Sequence, residues 1–259
     1  MSRVLAVANQ KGGVGKTTTT VNLAASLAVT KRRVLVVDLD PQGNATMGSG
    51  VDKNKLTGSI YDVLLGSAGV RDIRLMSGKG KYDLLPANRE LAGAEIELVN
   101  MPDREHRLKD SLKEVSSEYD YILIDCPPAL NLLTVNGLCA AESVMIPMQC
   151  EYYALEGLSD LVQTIRRVRL HLNPALEIEG LLRTMFDPRN ALAQQVSLQL
   201  QEHFGNKVYR TVIPRNIRLA EAPSFGIPVL VHDKKSKGAQ AYLTLAGEML
   251  RKAAVEFSQ

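Results

Sequence analysis

Residues 9–19 read NQKGGVGKTTT, after the apolar run RVLAVA at 3–8 and before TVNLAASLAV at 20–29. The first run has the composition of a buried strand, the glycine-rich middle cannot be helical, and the last part restores a 3.6-residue apolar repeat. Strand, glycine loop and helix in that order are the setting of a phosphate-binding loop. Gly12, Gly13 and Gly15 let successive backbone N–H groups turn toward phosphate oxygens. A helix starting near Lys16 adds the partial positive charge of its first turn. In such a loop Lys16 neutralises the β- and γ-phosphates and the Thr17 hydroxyl holds Mg2+. Two details depart from the usual G-x-x-x-x-G-K-[ST] pattern. Its first glycine falls on Gln10, and an additional lysine, Lys11, stands inside the glycine run.

Working outward, short apolar runs at 33–40, 119–127, 143–148 and 177–186 end in Asp, Asn, Pro or Gly, and most lack polar alternation. That is the signature of strands buried on both faces of a parallel sheet. Between them, Leu158, Leu161, Val162, Ile165, Val168 and Leu172 form one helical stripe; Tyr242, Leu245, Ala246, Met249, Leu250 and Ala253 form another. The expected fold is α/β: a doubly wound, mostly parallel sheet with helices on both faces, of the P-loop NTPase class. Helix-rich segments at 56–66 and 88–116 look like insertions. A chain of 259 residues with 45% hydrophobic content is expected to form one domain over 1–259, with no N-terminal helix-turn-helix extension because the first strand begins at residue 3.

Two further stretches supply acids. VLVVDLDPQGNAT ends a strand with Asp38 and Asp40, which are expected on opposite strand faces and hence with different duties. Asp38 is assigned to the metal shell and Asp40 to the attacking water. YILIDCPP ends with Asp125, at a strand terminus where it would hold a metal-bound water. An acid at a strand end can also simply cap the next turn, but three of them beside one P-loop argue for a hydrolysis site.

Together KGGVGKT, DLDPQGNAT, IDCPP, CEYYALEGL and VIPRNIRLAEAPSFG make the chain resemble the ParA/Soj family of chromosome- and plasmid-partitioning ATPases, from about residue 3 to 250. The resemblance implies an ATP-dependent sandwich dimer, sequence-independent binding of double-stranded DNA, and slow ATP hydrolysis stimulated by a ParB/Spo0J-type partner. It identifies Lys11 as the signature lysine of a deviant Walker A loop, reaching the phosphates of the other subunit, so Lys11, Lys16 and Asp40 form the implied catalytic set. Residues Lys11, Gly12, Gly13, Val14, Gly15, Lys16, Thr17 and Thr18 would contact ATP, with Pro214 and Asn216 on the adenine side. Thr17, Asp38 and Asp125 would serve Mg2+. Gln42 and Asn44 fall in the switch-like stretch after Asp40. Arg189 and Arg218 match positions associated with DNA binding, and Lys207, Arg210, Arg215 and the lysines of HDKKSKG could extend a basic face.

Other classes fit less well. The formal net charge of +3 is too small to argue for nucleic acid alone. Cys126, Cys139 and Cys150 have no C-x-x-C spacing, which argues for reduced, buried thiols in a cytoplasmic protein and against an iron–sulfur carrier; the ParA/Soj resemblance implies association with the nucleoid. His106, His171, His203 and His232 share no ligand spacing. A MinD-like membrane-cycling ATPase would need an amphipathic C-terminal helix, and the closing RKAAVEFSQ has one large apolar side chain after Val255 with an acid beside it, so no membrane contact is expected. A small-molecule ligase on the same nucleotide-binding fold would need an acceptor pocket.

Overall fold

The computed structural model describes residues 2–256, with side chains through Ala254. Eight strands form its sheet: β1 (Arg3–Val7), β2 (Val34–Asp38), β3 (Leu75–Met76), β4 (Asp83–Leu85), β5 (Tyr121–Asp125), β6 (Ser143–Gln149), β7 (Glu177–Phe186) and β8 (Val208–Pro214). Their spatial order is β3-β4-β2-β5-β1-β6-β7-β8, and every pairing is parallel except β3 with β4. The expected doubly wound, mostly parallel sheet is what the chain adopts.

The alternation of side chains along each strand sorts the core into two layers. Leu35, Val37, Ile122, Ile124, Val144 and Ile146 pack on one face, with the helices Leu132–Ala140 and Ala154–His171. Val34, Val36, Leu123, Met145 and Leu182 pack on the other, under the helices Lys16–Ala28 and Lys237–Glu256. A strand buried on both sides needs apolar residues at every position, which is why these runs lack polar alternation. Burying about 25 cal/mol for each Å2 of apolar surface makes this two-sided arrangement the main stabilising term.

Five strands fall where the sequence predicts them; of the two amphipathic helices, Ala154–His171 starts before its predicted stripe and stops just short of Leu172, and Lys237–Glu256 extends past its stripe at both ends. Three strands were not expected. β3 and β4 are two and three residues long, too short to show a period. In β8 the exposed Arg210 and the terminal Pro214 interrupt the apolar run, both tolerated because β8 is an edge strand.

Two connections fix where a ligand can bind. From β1 the chain crosses to β2 on one side of the sheet, and from β5 it crosses to β6 on the other. The crevice outside the carboxyl ends of β1 and β5 is therefore the topological switch point.

Candidate nucleotide site

The loop between β1 and the helix Lys16–Ala28 lies across that switch point. Gly13 and Gly15 take left-handed backbone angles, φ +74° and +90°, which a side chain would oppose. Gly15 precedes the first helical turn, and no side chain caps it, so the leading N–H groups of this helix are available to an anion. Three hydrogen bonds made by two side chains, Asn9 and Thr184, pin the loop. Asn9 Nδ2 donates to Pro147 O at 2.8 Å, the Lys11 amide donates to Asn9 Oδ1 at 2.9 Å, and Thr184 Oγ1 donates to Val14 O at 2.7 Å. Thr184, on β7, is a site residue that sequence reading missed. A threonine in a strand reads as an ordinary β-former, and nothing local marks its contact with a loop 170 residues away.

Beside the loop opens a cavity of about 520 Å3 whose lining includes Gly12, Gly13, Gly15, Lys16, Thr17, Thr18, Asp40, Gln42, Asn44, Pro214 and Asn216. Residues predicted from three separate stretches therefore share one wall. Lys16 is buried and its Nζ donates to Lys11 O at 3.1 Å. Burial lowers its pKa, opposed by the charges of Asp125 and Asp40. At the far end, Asn216 Oδ1 is buried without a hydrogen-bond partner. Such an orphaned acceptor is costly unless a ligand donor meets it.

The acids are layered. Strand register sets Asp38 beside Asp125, and both are fully buried. Burial raises both carboxyl pKa values, and the neighbouring Asp38 raises Asp125 further. Asp125 accepts from Thr17 Oγ1 at 2.7 Å and from Thr20 Oγ1 at 3.2 Å. Asp38 accepts from the Asp40 amide at 3.1 Å and from Thr46 N and Oγ1 at 2.8 and 2.7 Å. The expectation of opposite strand faces is corrected here: residues two apart on a strand share a face, and Asp40 lies beyond the end of β2. What separates the two acids is the end of the strand: Asp40 lies on the cavity wall, and Asp38 stays in β2 with both oxygens committed. Gly43 closes the turn that follows Asp40, at φ +60°, where a Cβ would meet Ala87 O at 2.7 Å.

Among the described residues no three acid, histidine or cysteine side chains converge as a metal cage. The donors beside Lys16 are a hydroxyl and buried carboxylates short of positive charge. They fit Mg2+, which keeps several waters and takes few protein ligands.

A family model described as an AAA domain matches residues 2–178. Over 249 residues the chain is 55% identical to the sporulation initiation inhibitor protein Soj of Bacillus subtilis, covering 96% of this chain and 98% of Soj. It is 51% identical over 252 residues to the chromosome partitioning protein ParA of Myxococcus xanthus, covering 97% of this chain and 89% of that protein. The chain belongs to the ParA/Soj family and is an ATPase. Among solved structures, one described as cobyrinic acid a,c-diamide synthase from Mycobacterium smegmatis with bound ADP and magnesium matches at TM-score 0.86 and 41% identity, covering 97% of this chain and 95% of that one.

In this ParA/Soj ATPase Lys11, Arg189 and Arg218 lie outside the cavity lining, whereas Arg215, predicted for the basic face, is part of it. Lys11 Nζ is 2.6 Å from Glu151 Oε2 on the surface, and both side chains are half exposed. Arg189 follows β7 and is chelated by Asp187, with Nε and Nη2 at 3.0 and 2.8 Å from its oxygens. Arg218 follows β8 and pairs with Glu221 at 2.8 Å and Asp233 at 3.5 Å. The three cysteines are buried free thiols whose pKa values burial raises, which makes them unreactive. No helix among the described residues is long and apolar enough to cross a membrane. The expectation for the C-terminal segment falls partly on residues 255–259, whose side chains lie outside the described ones.

Proposed function

We propose that this chain is an ATP-dependent DNA-partitioning ATPase, acting as one domain on the nucleoid in the cytoplasm. With ATP and Mg2+ it forms a sandwich dimer that holds double-stranded DNA without regard to sequence. Slow hydrolysis, accelerated by a ParB/Spo0J-type partner, resets it. The observation that carries this reading is the division of labour between two lysines of one loop. Lys16 is buried in the cavity, whereas Lys11 projects outward on the other side. A lysine serving its own subunit's nucleotide would point in. An outward one suits phosphates presented by a second copy, whose charge repulsion it offsets.

In this mechanism the Gly12–Gly15 backbone and the first helical turn hold the phosphates while Lys16 exchanges Lys11 O for a phosphate oxygen. Asn216 Oδ1 accepts from the adenine amino group, beside Pro214. Thr17 would hold Mg2+ directly and Asp125 through a water, with Asp38 fixing the Thr46 stretch behind them. The metal supplies charge neutralisation on the phosphates. Asp40, alone of the acids on the cavity wall, orients the attacking water. Steady-state ATPase assays with and without duplex DNA and a ParB-like partner test the proposal. Turnover insensitive to both additions, with DNA binding no stronger in ATP than in ADP, would overturn it.

A further inference from the structure

The amino ends of β6, β7 and β8 border a cavity of about 990 Å3, with Arg210 and Arg251 in its wall. A shallower hollow of about 430 Å3 lies between Arg166, Arg169, Leu170 and Pro174. The two meet in the chain at Pro174 and Ala175, one lining each. Both open at the opposite end of the sheet from the phosphate loop, since β7 alone spans ten residues, roughly 33 Å at ~3.3 Å per residue.

The charges here are unevenly spent. Three of the four acids that line the larger cavity have partners. Glu179 pairs with Arg3 at 3.6 Å and accepts from Tyr209 Oη at 3.2 Å; Glu177 faces Lys207 at 3.9 Å. Glu248 accepts from the amides of Arg210 and Thr211 and from Thr211 Oγ1, at 2.8, 2.9 and 2.6 Å. Burial raises the pKa of Glu142. By contrast Arg166, Arg169, Arg210 and Arg251 are all exposed, and among the described residues none has a carboxylate within ion-pair distance. Arg189 and Arg218, the arginines first suspected of DNA contact, are both on carboxylates.

We infer that this end of the molecule is a second contact surface for the phosphate backbone of duplex DNA, built on Arg166, Arg169, Arg210 and Arg251; the inference rests on the DNA-binding reading above. Each arginine has an ordinary explanation by itself. Arg169 complements the dipole at the end of the helix Ala154–His171, and Arg210 discourages pairing on an edge strand. Neither explains why Glu177, Glu179 and Glu248 have partners while cations from two helices and a strand are left facing solvent. A single small anion is a poor match, because the buried groups left without partners, Arg183 Nε and Asn216 Oδ1, line neither hollow. Spread, solvated guanidinium groups suit a polyanion, for which charge density outweighs enclosure.

Anisotropy titrations with a random-sequence duplex, in ATP and across salt, test this with two double variants, Arg166→Gln/Arg169→Gln and Arg210→Gln/Arg251→Gln. Each should lose ~0.9 of salt slope per phosphate contact removed and bind roughly tenfold or more weakly near 100 mM salt. The matching Arg→Lys variants keep the charge and should keep the wild-type slope. Circular dichroism and ATP-dependent dimer formation check that the variants fold. Affinity and slope equal to wild type in both Gln variants would overturn the inference. Polyglutamate competing as well as duplex DNA would make this an acidic-protein surface and overturn it too. Wild-type protein that binds no duplex in ATP would instead sink the parent reading, and this one with it.

Discussion

The Lys11 ammonium sits 2.6 Å from Glu151 Oε2, while the backbone oxygen of the same lysine accepts from Lys16 Nζ at 3.1 Å. One residue thus joins the loop interior to the surface. The ion pair is half exposed and contributes at most about 1 kcal/mol, so it yields to a better anion. Lys16→Ala should abolish nucleotide binding, because the phosphate charge loses its buried counterion. Lys11→Ala should keep nucleotide affinity within a few-fold, yet form no dimer with a non-hydrolysable analogue in analytical ultracentrifugation. A Lys11 variant that dimerises normally would remove the basis for a trans role.

Asp40 lies past the end of β2, and it is the acid on the cavity wall. Asp40→Ala should bind ATP and dimerise but lose hydrolysis by ~100-fold or more, in the range set by removing a positioned base. Asp38→Ala should behave differently. It strips three hydrogen bonds from the Thr46 and Asp40 region and should lower thermal stability first. Wild-type turnover by Asp40→Ala, measured by phosphate release, would reassign the water-positioning role.

Much of this site was legible because its chemistry is local in sequence. The glycine loop, Lys16, Thr17 and the acids at the ends of β2 and β5 each announce themselves through residue type and strand context. What stayed hidden depends on contacts between distant segments. Thr184 holds Val14 and Glu151 holds Lys11, and neither pairing has a local period. The sheet was read for its long buried strands and missed β3, β4 and β8, where length or an exposed Arg210 erased the pattern. Asp38 and Asp40 were misplaced for a simpler reason: residues two apart share a strand face, and β2 stops at Asp38 before Asp40 is reached.

Thr184 offers a test of loop preorganisation. Thr184→Val keeps the side-chain volume but removes the 2.7 Å bond to Val14 O at a buried position. Leaving that carbonyl unpaired should cost about 1–3 kcal/mol. We expect a lower melting temperature without nucleotide and weaker ATP binding by calorimetry. Unchanged values for both would show that the glycine loop holds its shape without β7.

The arginines beyond β7 and β8 set the last test, because each begins with its charge already spent. Hydrogen bonds from Arg189 hold the Asp187 carboxyl down at about 2. A lowered carboxylate pKa means the pair is complete above the ordinary carboxylate range and is lost only as pH falls through about 2, so it does not titrate between pH 5 and 9. DNA phosphate must therefore displace Asp187, and Glu221 from Arg218, at any working pH. Asp187→Asn should free Arg189 and strengthen DNA binding roughly two- to fivefold, the scale of an exposed ion pair. Arg189→Glu with Arg218→Glu should abolish ATP-dependent DNA binding while dimerisation survives, since neither residue lines the nucleotide cavity. Two weak protomer surfaces brought onto one duplex gain affinity through linkage, so the wild-type protein should bind DNA in ATP and barely in ADP. Filter binding across salt and pH, in both nucleotides, measures all of this. Weaker binding by Asp187→Asn would mean that Asp187 positions Arg189 for phosphate rather than competing for it.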